Sequence, residues 1–161
     1  ERQVAGMLAL VGVCSVIVQG VLVGRIVPAL GERRALLLGL ACGTAGFAIY
    51  GLAPSGWVFL AALPISALWG LASPSTQALI TRQVSADAQG RVQGALMSMV
   101  SLTGIFAPLM FAGTFGLFIS ERAPLHLPGA PWLLAGAWLL AAFFLGLKYA
   151  RPGPAAAPPA I

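Results

Sequence analysis

Charge is what this chain lacks. Only four of its 161 residues are acidic, nine are Lys or Arg, one is His, and 8% carry a charge at all. Soluble domains commonly devote about a quarter of their residues to charge. With 59% apolar residues and a mean hydropathy of +0.93, this chain has no material for such a surface. Its two cysteines, Cys14 and Cys42, sit in separate apolar runs without metal-ligand spacing. They read as small packing residues and imply no disulfide framework. The single histidine, His126, is read as a solvated loop side chain, because a metal site needs several convergent ligands. It is assigned no role, and no metal is expected. The pI near 10.3 comes with no basic stripe interleaved with aromatics, so nucleic acid is not an expected partner.

What the chain has is length without charge. Uncharged, mostly apolar runs extend over Val4 to Gly24, Ala35 to Ala53, Trp57 to Thr81, Val92 to Ile119 and Trp132 to Leu147, the last lengthened by Leu127 to Pro131. A helix rising about 1.5 Å per residue needs roughly 20 apolar residues to cross a hydrocarbon core about 30 Å thick. Strands of a soluble sheet stop within about ten residues, and the alternation of an outer-membrane barrel is missing. The fold class is therefore all-α integral membrane, with helices at about 4–24, 35–53, 57–81, 92–119 and 127–147. Residues 1–150 form the bundle, and 151–161, built from Pro, Ala and Gly, read as a disordered tail.

The placement of cations orients the chain. Five crossings put Arg25, Arg33, Arg34, Arg82, Arg91, Lys148 and Arg151 on one side, leaving Arg2 and Arg122 on the other. Seven against two makes the first side, and the C-terminus, cytoplasmic. The localisation expected is the inner (plasma) membrane, multi-pass. An odd number of spans, an outer N-terminal end without an initiator Met and the lack of a signal-peptide pattern predict that Glu1 is not the natural start and that the chain is part of a larger carrier. Within the runs, Gly20 and Gly24, and Gly39 and Gly43, have the spacing that lets helix backbones approach. Pro64, Pro74 and Pro108 are each expected to kink or break a helix.

Two cytoplasmic segments carry motifs. Gly24, Arg25, Pro28, Gly31, Glu32, Arg33 and Arg34 stand in a loop similar to the Gly-x-x-x-Asp-Arg-x-Gly-Arg-Arg loop of the major facilitator superfamily, with Pro28 in place of its Asp and Ala29 in place of its Arg. In that pattern glycines permit a tight turn while charges pair and bond helix ends. The second segment holds Trp69, Gly70, Pro74, Gln77 and Ala78, then Arg82, Gln83 and Val84, then Gln89, Gly90, Gln93 and Gly94, then Pro108 and Leu109. Together they resemble spans ten and eleven of tetracycline-type drug efflux carriers, and the resemblance covers roughly residues 5–148. It implies that the chain supplies spans eight to twelve of the C-terminal six-helix bundle, and that its partners include the rest of the same carrier and the lipid bilayer.

The resemblance further implies export of a drug-like small molecule by proton-coupled alternating access, without a cofactor, with cargo bound near the bilayer midplane. Gln19 stands where those carriers have a Gln in span eight; its alternative role is a hydrogen bond between helices. Ser15 lies one turn earlier, and Ser66, Ser73, Ser75, Thr76 and Gln77 follow along span ten. The substrate-binding candidates are Gln19, Ser15 and Gln77; Gly24, Gly31, Arg33 and Arg34 form the conformational loop. Two departures bear on coupling: the family's His is replaced by Ser15, and its span-nine Asp by Gly43. No Asp, Glu, Lys or His falls inside any of the five runs, so this segment offers no proton site of its own. An intramembrane hydrolase would need a base or acid beside its serine, so the chain is not read as an enzyme. A non-transporting membrane assembly or sensory protein is the other reading that hydropathy alone allows.

The orientation has a direct test. A thiol introduced by Ser55→Cys should react with an impermeant reagent from outside intact cells, whereas one introduced by Ser85→Cys should react only from the cytoplasm. Outside labelling at position 85 overturns the orientation.

Overall fold

The computed structural model describes residues 2–120 and 126–150, apart from the side chains of residues 2–5, 7, 8, 10 and 14. The expected tail at 151–161, the loop cation Arg122 and the packing role of Cys14 lie outside the described residues. Every regular element among the described residues is helical: α1 (Arg2–Ile17), a π-helical turn (Val18–Leu22), α2 (Val23–Leu30), α3 (Glu32–Leu52), α4 (Gly56–Ala67), a 3-10 turn (Leu68–Leu71), α5 (Ala72–Gln83), α6 (Gln89–Ile119) and α7 (Ala130–Tyr149). Among the described residues, five stretches are long and apolar enough to cross a membrane: Val11–Leu30, Glu32–Leu52, Gly56–Gln83, Gln89–Ile119 and Ala130–Tyr149.

The first span ends later than the sequence suggests. A break is expected from Arg25 onward, yet helix continues through Arg25 and Pro28 to Leu30, and the break shrinks to Gly31. Arg25 is exposed, and one long cation among Val23, Ile26 and Val27 can keep its stem on apolar surface while its head reaches water. The third span is interrupted where proline predicts it. Pro74 has no N–H to offer the Gly70 carbonyl, and the chain tightens into the 3-10 turn, the Ala72 amide bonding Trp69 O. Pro108, by contrast, lies within an unbroken α6. Membrane helices tolerate one lost bond of this kind where neighbouring groups or small backbone adjustments take it up.

The bundle is organised around α3, which packs along α7 and along all three parts of the third span. Lipid tails are as apolar as leucine, so packing and hydrogen bonds, more than exclusion from water, decide how such helices associate. Glycine lets α3 come close. A Cβ placed on Gly39 would lie 2.9 Å from the Ala72 backbone nitrogen, and one on Gly46 would lie 2.6 Å from Ser66 Cβ and 2.8 Å from its Cα. On the same contact the Tyr50 hydroxyl and Ser66 Oγ are hydrogen-bonded at 2.5 Å. Leu36, Leu40, Ala72 and Leu79 fill the core at one end, and Tyr50, Ala62 and Leu63 at the other. The other glycine pair behaves differently: nothing lies within 4 Å of a Cβ on Gly20 or Gly24. α6 packs against α7 but buries none of its residues.

Gly46→Val is expected to lower stability by about 1–3 kcal/mol, because the nearest obstacles, Ser66 Cβ and the backbone atoms that hold it, cannot swing aside. Gly113→Val, on an α6 face with nothing within 4 Å of the added Cβ, should change stability by about 0.5 kcal/mol or less. Unfolding midpoints of the two variants in detergent test the contrast, and equal losses would show that close approach at Gly46 is unimportant.

Candidate functional site

Two irregular turns meet in the middle of the bundle. In the first span the Val23 amide reaches back five residues to Val18 O, which is the hydrogen bond of a π-turn and places one surplus residue in the helix. The 3-10 turn of the third span packs against it. At this meeting Gly70 faces the first span closely enough that a Cβ on it would sit 3.4 Å from Val18 Cγ1 and 3.9 Å from Gln19 Cγ. Departures of this kind from α-helix cost hydrogen-bond geometry and are concentrated at functional sites.

Of the three cavities that Gln19 lines, two reach Trp69 and Gly70 of the 3-10 turn. The larger, of about 990 Å³, is lined by Gln19, Trp69, Gly70, Ser73, Thr76 and Gln77, among others. The smaller, of about 370 Å³, brings Ser15 beside Gln19, with Phe47, Tyr50, Phe59 and Trp132. The structure therefore sets Gln19 and Gln77 at one cavity, and Ser15 with Gln19 at the next. Among the described residues, no Asp, Glu, Lys, Arg or His lines either one. Gln19 and Gln77 are exposed side chains, and neither amide has a hydrogen-bond partner among the described residues. The hydroxyls divide. Thr76 Oγ1 donates to Ala72 O at 2.8 Å, and Ser66 is held between Tyr50 and Leu63 O, so both are engaged within the protein. Ser73 is exposed at the larger cavity, whereas Ser75 is fully buried, its hydroxyl without a partner among the described residues.

An aromatic group closes the smaller cavity. Phe47 meets Trp69 and Trp132 edge-on, both with centroids 5.5 Å away, and Tyr50 stacks on Phe59 at 4.1 Å. These rings come from four different helical segments, which is why no local motif announces them. Gly43 packs beneath this group; a Cβ there would lie 3.1 Å from Trp69 Cβ and 2.9 Å from Leu139 Cδ1. A longer side chain at that position would require Leu139 Cδ1, the end of a flexible side chain, to move and Trp69 to give way.

At the end of the bundle, Gly31 makes the sharp passage from α2 to α3 with φ +79° and ψ 153°, backbone angles that are essentially restricted to glycine. Gly24 remains inside α2 and makes no turn. The charges expected to pair do so across distant segments. Glu32 Oε1 lies 2.7 Å from Arg82 Nη2, and Arg33 Nη2 donates to Leu147 O at 2.9 Å, tying the start of α3 to the last turn of α7. Arg34 is exposed and has no partner among the described residues. In the nearby connection, the Ser85 hydroxyl and the Asp87 backbone amide hold the exposed Asp87 carboxyl below the usual carboxylate range.

Apolar antiparallel helices around uncharged cavities, with cations gathered at one end, define a multi-pass helical membrane protein. The profile of the Major Facilitator Superfamily matches residues 2–108, and the chain belongs to that family. Among its relatives is the class C tetracycline resistance protein of Escherichia coli, 32% identical over an alignment of 139 positions that covers 81% of this chain and 35% of that protein. The class D tetracycline resistance protein of Salmonella ordonez is 31% identical over 150 residues, 93% of this chain and 37% of that one. A hippocampus abundant transcript-like protein 1 of Rattus norvegicus is 28% identical over an alignment of 168 positions, gaps included, that covers 94% of this chain and 33% of that protein. The chain thus spans about a third of the length of the curated relatives it matches. No solved structure gave a significant match.

The tie between α3 and α7 should be measurable. Arg33→Gln is expected to cost about 1 kcal/mol, the scale of a lost hydrogen bond at a half-buried site, while Arg34→Gln in neutral detergent should change stability by about 0.5 kcal/mol or less. Glu32→Gln should fall between them, because Arg82 in that pair is 49% exposed and water screens it. Denaturant unfolding of the three variants decides, and an Arg34 effect as large as that of Arg33 would remove the distinction.

Proposed function

We propose that this chain is part of the C-terminal bundle of an efflux carrier that moves drug-like small molecules across the inner membrane by alternating access. On this reading Gln19, Gln77 and Ser15 contact the cargo, and the remainder of the same carrier supplies the opposite wall of the cavity. The observation that carries it is the placement of two amides, neither with a partner among the described residues, at one cavity that no described charged residue lines. An unpaired amide in hydrocarbon costs free energy. A cargo that accepts and donates hydrogen bonds recovers part of that cost each time it binds. The aromatic rings near Ser15 favour a flat, partly apolar molecule, since they offer faces and edges for stacking.

Membership in the Major Facilitator Superfamily and the tetracycline resistance proteins among the relatives support export as the direction and drugs as the class. Tetracycline itself is a weaker candidate, because Ser15 and Gly43 replace titratable groups of the tetracycline pattern. Proton coupling then falls to residues elsewhere in the carrier. The gathered cations support a cytoplasmic placement of the Gly31 turn and of the C-terminus. Gly31, Arg33 and the Glu32–Arg82 pair act there as the joint between helix ends that one conformation keeps and another releases.

In the carrier containing this chain, Gln19→Leu should leave the amount of folded protein in the membrane normal while weakening export of hydrogen-bonding cargo several-fold, as the loss of about 1 kcal/mol implies. Export of a panel of tetracyclines and unrelated drugs, normalised to membrane-inserted protein, gives the readout. Reduced folded protein with unchanged export per molecule for every drug would make Gln19 a structural tie and overturn its contact with cargo.

A further inference from the structure

The end of the bundle around Gly31 holds another cavity, of about 580 Å³, whose lining includes the residues of that joint, and the transport reading gives it no ligand. Glu32, Arg33, Arg34 and Arg82 form its polar side, and Val27 and Leu30 contribute to its apolar side. Three guanidinium groups against one carboxylate leave two positive charges in surplus. Glu32 occupies Arg82 and the Leu147 carbonyl takes one Arg33 nitrogen, but Arg33 Nε is buried without a partner and Arg34 is free among the described residues. α3 starts at the same place with no side-chain cap, which adds unpaired backbone amides and the positive end of the helix dipole.

Depth narrows what this cavity can hold. Leu30 is the last residue of the first membrane-crossing stretch, Glu32 the first of the second, and Gln83 the last of the third, so the cavity lies where the spans leave hydrocarbon. A ligand there meets cations on one side and apolar surface on the other. We propose that the cavity binds the phosphate of an anionic phospholipid, with the phosphate on Arg34, Arg33 and Arg82 and the first part of an acyl chain along Val27 and Leu30. Guanidinium is suited to this because its planar fork matches a phosphate through paired N–H bonds. Basic pockets at the ends of spans on the cytoplasmic side are the sites that anionic headgroups take. The two surplus charges separate such a lipid from a zwitterionic one, and the apolar edge separates it from free phosphate.

The test uses the purified carrier containing this chain in neutral detergent micelles doped with phosphatidylglycerol, with phosphatidylcholine, or with inorganic phosphate at equal phosphorus, and reads the thermal unfolding midpoint as ligand increases. Phosphatidylglycerol should raise the midpoint in a saturable way, and phosphatidylcholine should not. Arg34→Gln should raise the half-saturating phosphatidylglycerol content roughly tenfold, as expected for one charge-assisted bond. Arg25→Gln, which removes an exposed cation of the same stretch that does not line the cavity, should change it by about twofold or less. Arg82→Gln serves as a second variant within the cavity. Equal weakening by Arg25→Gln and Arg34→Gln would reduce the effect to general surface charge and overturn the site. An equal response to phosphatidylcholine would overturn the requirement for anionic lipid, and saturation by inorganic phosphate alone would make the ligand a free anion and overturn the lipid.

Discussion

Close backbone approach along α3 is the constraint on which the other features depend. In a medium as apolar as the side chains themselves, helices gain little by hiding leucines from one another, so contact must come from fit and from satisfied polar groups. Gly39 and Gly46 supply the fit, bringing α3 to the backbone of the third span at Ala72 and Ser66. The Tyr50–Ser66 hydrogen bond then becomes possible because the two helices are already close. With α3 fixed against that span and against α7, Glu32 reaches Arg82 and Arg33 reaches Leu147, although far apart along the chain. The charged end of the bundle is thus a consequence of packing that begins near its middle.

Much of the fold is legible in the sequence because its signal is length. A run such as Val92 to Ile119 has few ways to exist other than as a helix in lipid, and the structure has α6 over Gln89–Ile119. The break in the third span is legible too, since Pro74 removes a donor at a known position. What the residues alone conceal depends on distant partners. Arg25 reads as the end of a span, but a single cation can be carried along a helix face, so the helix runs on to Leu30. Gly20 and Gly24 have the same spacing as Gly39 and Gly43, yet only the second pair meets another helix; spacing says that approach is possible, and the neighbour decides whether it happens. The π-turn at Val18–Leu22 contains no proline and has no local signature.

The candidate site divides along the same line. Gln19 and Gln77 stand out as amides in apolar runs, and their chemistry can be named before any coordinates. Their common cavity depends on the angle between the first and third spans, which no motif records. The serines and threonines show the reverse: Ser66 and Thr76 look available in the sequence, but the structure has them bonded to Tyr50 and to the Ala72 carbonyl. Charge and cargo surfaces are also kept apart. The cavities around Gln19 contain no charged side chain, while the arginines collect where the spans end. An uncharged interior lowers the cost of drawing a neutral molecule out of water, and ions attracted to the arginines find no matching group deeper in.

The surplus residue in the π-turn has a consequence for lineage as well as for geometry. A regular α-helix advances about 100° per residue, so an extra residue at Val18–Leu22 turns the part of the helix before it against the part after it by roughly one such step. Stripes of small and large side chains read along α1 do not continue into α2 in the same register. A related chain whose first span is a plain helix can be superposed on only one of the two parts at a time, and its alignment needs a one-residue gap inside residues 18–22. Loss of a single codon there would leave the composition and hydropathy of the span nearly untouched while presenting a different face of α1, Ser15 included, to the rest of the bundle.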